Sequence, residues 1–175
     1  MKRMGIVSTW AIALVGAGLM TAAVNAAQPA CGETMTGGGW IITDAGTGNF
    51  GFSGGESLSR PFSLNYVDEE AGVHVKAIAI VDYSGADGSD GPCRTITYEV
   101  TLNGEPGYCA SIRVCENGEP ATLDSFEIAV FGPNVPCPCV EDTATTELEC
   151  PIVYADAGVL GDGGGNIQLH ERDCD

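Results

Sequence analysis

Positive charge is what this chain has least of. Seven Lys and Arg stand against 24 Asp and Glu, a formal net charge of −17 over 175 residues. Phosphate backbones and anionic lipid headgroups repel such a surface, so neither nucleic acid nor an acidic membrane face is an expected partner. Histidine is nearly absent, with two in the chain, so imidazole chemistry has only His74 and His170 to work with. No long apolar run follows residue 26, so no membrane insertion is expected once that segment is removed. Cys-x-x-Cys pairs are also missing, and Cys137-Pro138-Cys139 has the wrong spacing for a zinc knuckle.

What is present begins with the leader. Lys2 and Arg3 precede an apolar stretch from Ile6 to Met20, too short for a membrane anchor, followed by small residues. Residues 1–26 therefore read as a secretory signal peptide, with cleavage between Ala26 and Ala27. A lipoprotein reading would use Cys31, but Gln28, three positions ahead of it, is not the apolar residue that a lipidation site normally carries there. Residues 27–175 then form a single secreted domain, destined for the periplasm, cell surface or medium. Lys2 and Arg3 leave with the leader, so five basic residues face 24 acidic ones, a net charge near −19. A solvated surface accounts for that acidity, with cation binding as the competing explanation.

All eight cysteines lie after the leader, where export meets oxidising conditions. Four disulfides are expected, and counting alone leaves 105 pairings open. The hairpin around Asn103-Gly104-Glu105-Pro106-Gly107 narrows them, because both flanks alternate. Ile96, Tyr98, Val100, Leu102, Tyr108, Ala110, Ile112 and Val114 share a core face, and Cys109 and Cys115 point to the other. Six residues of strand hold Cys109 and Cys115 about 20 Å apart, too far to bond. A register centred on the turn sets Cys93 opposite Cys115, which predicts that bridge. Residues 133–151 form a long loop rich in Cys, Pro and acid, in which Cys137, Cys139 and Cys150 can tie the chain down, with Cys109 as partner to one of them.

Twenty-five glycines, nine prolines and abundant Thr, Val and Ile indicate short strands joined by turns. Nine are predicted: Gly39 to Thr43, Asn49 to Ser53, Ser63 to Val67, Val73 to Tyr83, Thr95 to Leu102, Tyr108 to Cys115, Ser125 to Phe131, Ile152 to Val159 and Asn166 to His170. The fold class is all-β, a single antiparallel barrel or sandwich of about eight or nine strands stabilised by disulfides.

The run Gly161-Asp162-Gly163-Gly164-Gly165 ahead of Asn166 could be a ligand loop, but a phosphate cradle needs a helix directly after it. Asn166, Ile167, Gln168, Leu169 and His170 alternate with period two instead, which is strand patterning. Gly37-Gly38-Gly39 matches it at the other end of the domain. Pairing of first and last strands is therefore predicted, with both glycine runs excluding side chains where the backbones approach. That pairing draws Cys31 to Cys174, the fourth expected bridge.

Several segments together, "MTGGGWI" (Met35 to Ile41), "FGF" (Phe50 to Phe52), "LNYVD" (Leu64 to Asp68), "TLNGEPGY" (Thr101 to Tyr108), "ENGEP" (Glu116 to Pro120), "DSFEIAV" (Asp124 to Val130) and "GGGNIQLH", span residues 35–170. In this order they resemble the post-COAP-1 domain, a family of secreted bacterial modules found at the C-terminal end of large surface proteins. The resemblance implies a surface module and supplies no catalytic residues. The eight cysteines and the acidic insertion depart from the family pattern.

Chemistry-bearing residues are sparse. His74 shares a strand face with Lys76, and His170 ends a strand, so surface and edge roles are expected of them. Ser63, Ser111 and Ser125 lie on strands without the Gly-x-Ser-x-Gly elbow. An even cysteine count leaves no thiol for catalysis. Asp87-Gly88-Ser89-Asp90-Gly91 resembles a fragment of a calcium loop but lacks its closing glutamate. Asp82, Asp87 and Asp90 are the candidate metal ligands, and a polar hairpin tip is the alternative. Trp40, as a strand tryptophan, is expected in the core; exposed, it could stack on a sugar ring.

The function expected from these residues is a non-catalytic secreted structural, adhesive or binding module, with no cofactor beyond that calcium and with an unknown protein or glycan surface partner. A calcium-dependent glycan or surface binder is the alternative. A secreted hydrolase using paired carboxylates is the third reading.

Overall fold

The computed structural model describes residues 32–58, 61–85, 92–118, 123–133, 135–139, 150–160 and 164–170. They form nine antiparallel strands: β1 (Thr34–Ile42), β2 (Thr47–Gly55), β3 (Ser63–Asp68), β4 (Val73–Gly85), β5 (Cys93–Leu102), β6 (Glu105–Cys115), β7 (Ser125–Phe131), β8 (Ile152–Val159) and β9 (Gly165–His170). All belong to one curled sheet in the order β8-β7-β6-β5-β4-β3-β2-β1-β9. The first and last strands pair, Thr34 with His170 through Gly39 with Gly165. The architecture is thus a curled half-barrel, with no second sheet among the described residues.

Alternation sorts the side chains. Inward positions supply the core, with Met35, Ile41, Leu64, Tyr66, Ile96, Tyr98, Ile112 and Phe126 among its residues. Phe50 and Phe126 stack at its centre, centroids 4.0 Å apart and planes within 8°. Two register shifts in β4, at Ala77/Ala79 and Ile80/Asp82, change its side-chain phase, which leaves Ile78 exposed while Val75 and Ile80 remain inside.

The glycine runs behave as predicted where they are described. A Cβ on Gly39 would come within 1.8 Å of the Gly164 carbonyl oxygen, and one on Gly165 within 2.0 Å of the Gly38 oxygen. Only hydrogen at those positions lets β1 and β9 meet. β1 also starts five residues before its predicted start, because hydrogen bonding to strands on both sides outweighs the poor strand propensity of glycine.

The β5–β6 hairpin turns on Asn103 and Gly104, both with positive φ (53° and 88°), so the turn is two residues long and Glu105-Pro106-Gly107 already belongs to β6. Cys93 lies opposite Cys115 and the two are bonded, as the register predicts. Cys109 bonds Cys137, and Cys139 bonds Cys150. Cys109 and Cys115 face away from the aromatic core but are not exposed, at 1% and 3% accessibility. Cys31 and Cys174 lie outside the described residues, as do the leader with Ala26 and Ala27, and all of residues 140–149. Three disulfides suit an oxidising, extracellular setting, and among the described residues no helix is long and apolar enough to cross a membrane.

Candidate functional site

A curled sheet that does not fully close leaves two edge strands, here β8 and β9, and a buried carboxylate lies beside each. At one seam the end of β8 rests on β1, where a Cβ on Gly158 would sit 3.0 Å from that of Ile41. The polar atoms there form one network around Asp68, which is 1% exposed. Asp68 Oδ2 accepts the Thr43 hydroxyl at 2.9 Å and the Tyr154 hydroxyl at 3.0 Å, and Oδ1 accepts the Ala71 N–H at 2.9 Å. The Tyr154 oxygen also lies 2.7 Å from the Tyr66 oxygen and 3.2 Å from Asp156 Oδ2. Burial pushes the Asp68 carboxyl up, but its hydrogen-bond donors outweigh that and hold it below the usual carboxylate range. The same burial raises the neighbouring phenols, Tyr66 to about 12 and Tyr154 further.

At the other edge Asp124, also 1% exposed, accepts the Ile167 N–H at 3.0 Å through Oδ2 and the Asn117 N–H at 2.8 Å through Oδ1. Glu116 Oε2 takes the Leu169 N–H at 2.7 Å. The outer edge of β9 is thus sealed by two acids from the β6–β7 connection. A third acid, Glu33, holds the start of β1: both its oxygens engage Arg94, and it accepts the Tyr83 hydroxyl at 2.6 Å. Arg94 keeps the Glu33 carboxyl low, while burial and then Glu33 itself drive the Tyr83 phenol up. Among the described residues every buried side-chain nitrogen and oxygen has a partner. The expectation that a solvated surface accounts for the acidity is corrected for Asp68 and Asp124, which are interior fasteners. Asp68 had a legible signal, since an aspartate opening a turn commonly accepts the N–H three residues on. The hold of Asp124 on β9 had none, because Ile167 is 43 residues away.

Outside the sheet, on β5–β8, lies an open depression of about 670 Å³. Its floor is built from small side chains, Ala129, Ala155 and Ala157, with Phe131 at one end and Thr95 and Ser111 along it. Thr95, Arg113, Glu127 and Ala157 form one row across the four strands. Arg113 Nη1 meets Glu127 Oε1 at 3.4 Å, both side chains more than a third exposed. A pair so wet contributes little stability, and one contact engages only one of five guanidinium donors. Asp44 and Asp156 complete the lining, which joins the groove to the seam network.

Of the three candidate metal ligands the structure describes one. Asp82 lies in β4 opposite Thr97, beside a register shift; Asp87 and Asp90 lie outside the described residues. Among the described residues no three His, Cys, Asp or Glu side chains are grouped to hold a metal. His74 Nε2 meets Asn65 Oδ1 at 2.9 Å, and His170 Nε2 meets Thr36 Oγ1 at 2.9 Å, both on the surface. Gly51-Phe52-Ser53-Gly54-Gly55 does spell Gly-x-Ser-x-Gly, but Ser53 sits within β2, not at a strand-to-helix elbow, and its hydroxyl meets that of Ser63 at 3.0 Å. Trp40 overturns its expected place in the core: it is half-buried, on the outward face of β1, and no part of the core cluster.

Comparison of the chain with protein-family models, with curated proteins and with solved structures finds no match in any of the three.

Proposed function

We propose that this chain is a non-catalytic module exported to the bacterial surface or its surroundings, structural or adhesive in role, which binds a partner through the groove on β5–β8. The observation that carries the reading is the division of labour among polar groups. The buried acids fasten strands, whereas the recessed polar surface with a part-free guanidinium opens outward. The disulfides and the resemblance to surface modules support export and display. The partner is a protein or glycan of the surface to which the module attaches.

The test uses the mature, oxidised chain immobilised and exposed to native envelope and culture-medium components. A specific ligand should be retained by the parent chain and lost by Ala155→Trp, which fills the groove, with the melting temperature of the variant unchanged. Retention that survives Ala155→Trp refutes the groove. Turnover of a substrate in a hydrolase panel, abolished by a single side-chain change, refutes the non-catalytic reading.

A further inference from the structure

The outward face of β9, β1, β2 and β3 differs in chemistry from the rest of the molecule. In a chain with 24 acidic residues, no Asp, Glu, Lys or Arg occupies an outward position on these four strands between Thr34 and His170. Amides and hydroxyls stand there instead. Gln168, Thr36, Ser53 and Ser63 form one row across the strands, and Asn166, Gly38, Gly51 and Asn65 form the next. Beyond these, Trp40 lies beside Asn49. Asn49, Asn65, Asn166, Gln168 and Ser63 are exposed.

The middle of this face has no side chains. Gly38 and Gly51 are partners in the ladder, and at a strand spacing of about 4.8 Å the flanking amides of Asn166 and Asn65 stand about 14 Å apart. Most β2 glycines have an internal reason to be glycine: a Cβ on Gly48 would strike the Tyr66 hydroxyl at 2.3 Å, one on Gly54 would meet Ile96 at 2.9 Å, and one on Gly55 would meet Thr34 at 2.6 Å. Gly51 has none. A Cβ there would meet nothing within 4 Å, and Gly51 is not among the positive-φ glycines. Glycine inside a strand is unfavourable and often marks a bulge, a bend or the close approach of a ligand; Gly51 sits in an unbroken register with β1 and β3, which leaves close approach from outside as a reason for it.

We propose that this face binds an uncharged saccharide chain, whose sugars lie over the Gly38–Gly51 floor with one ring against Trp40 and hydroxyls on the surrounding amides. The chemistry selects that occupant. Planar amides and hydroxyls both donate and accept, as sugar hydroxyls do. An indole offers an apolar face to the C–H side of a ring together with a polar N–H. A basic peptide would find no carboxylate on these four strands, and an anionic polymer would meet one flanking cation, Lys76 beside Asn65, in a protein that is acidic around it. This site shares no strand with the groove on β5–β8, so either can fail without the other.

Trp40 is one of two tryptophans, and the other, Trp10, lies in the leader. The fluorescence of the mature chain therefore reports on this face alone. The experiment titrates the oxidised, mature chain with cellohexaose, laminarihexaose, xylohexaose, mannohexaose and chitohexaose, following Trp40 emission, and runs it through gels containing the matching neutral polysaccharides or alginate. At least one neutral glycan should shift the emission and retard migration, and alginate should do neither. Gly51→Val should weaken that binding at least tenfold while melting at or above the temperature of the parent, since the added side chain fills space that is open in the free protein. The paired change Asn65→Ala with Asn166→Ala should weaken it comparably, and Ala155→Trp should leave it intact. Silence across the neutral panel, retardation by alginate alone, or full binding by Gly51→Val or by the double alanine variant each overturns the proposal.

Discussion

Asp124 accepts the backbone N–H of Ile167 at 3.0 Å from 43 residues upstream, so a side chain does at the sheet edge what a neighbouring strand would otherwise do. Removing that carboxylate leaves the buried N–H of Ile167 without its acceptor in a site almost closed to water, and takes the acceptor of the Asn117 N–H nearer the surface. Asp124→Ala should therefore cost about 2–4 kcal/mol, read as a lower urea midpoint. Asp124→Asn, which keeps one acceptor oxygen, should lose less. Equal stability of Asp124→Ala and the parent would show that the edge needs no such cap.

The carboxyl of Asp68 makes stability depend on acid. Its folded-state value lies below the ordinary 3.8, because the donors of Ala71, Thr43, Tyr154 and Glu70 outweigh the opposing effect of burial. A lowered value contributes stability that is fully present above the unfolded-state value and drains away as pH falls through the folded one. Glu33, held low by Arg94, acts with the same sign below its ordinary 4.5. Urea midpoints should hold from pH 7 to about 5 and drop steeply below 4. In Asp68→Asn the drop should be shallower, and an unaltered acid limb would refute the assignment.

Alkali probes the other half of the same network. Burial raises the phenols of Tyr66, Tyr83, Tyr98 and Tyr154, that of Tyr66 to about 12. A raised folded-state value favours the native protein below the ordinary 10.0, and that contribution is lost as pH rises through the folded value. Absorbance at the phenolate wavelength should stay low for these four until the chain unfolds, then rise together with loss of the β-sheet circular dichroism signal. Gradual ionisation of all five tyrosines near pH 10 in the folded protein would contradict the buried network.

How much of this was legible beforehand depends on the distance over which each feature is specified. The nine strands follow from alternation within five to ten residues, and the Cys93–Cys115 bridge follows from the hairpin that joins them. The partner of Cys109 did not follow, since Cys137 reaches it through an aperiodic segment. The same holds for Asp68 with Tyr154 and Asp124 with Ile167, whose pairings exist only once the sheet has curled. Trp40 was misplaced for a different reason. A tryptophan between glycine and isoleucine suits a core strand by composition, and only its phase relative to Met35 and Ile41 turns it outward.

Loop closure allows a further check. The Cys109–Cys137 bridge spans 28 residues, and a loop of that length is worth about 3–4 kcal/mol through the unfolded chain. The double change Cys109→Ser with Cys137→Ser should lower the melting temperature by several degrees and leave the register of β5 and β6, readable by amide exchange, as it is. Unchanged melting would mean that the crosslink restrains a segment that is not part of the cooperative unit.

Pairing of Thr34 with His170 sets the chain's way in and its way out side by side. Tension applied across those two points would peel β1 from β9 one hydrogen bond after another, the direction in which a sheet yields at low force, and would not load the whole ladder in shear. For a module that anchors something, a covalent link just outside that pair would carry the pull in place of the zipper. Cys31 and Cys174, the bridge expected from the sequence, flank it on either side.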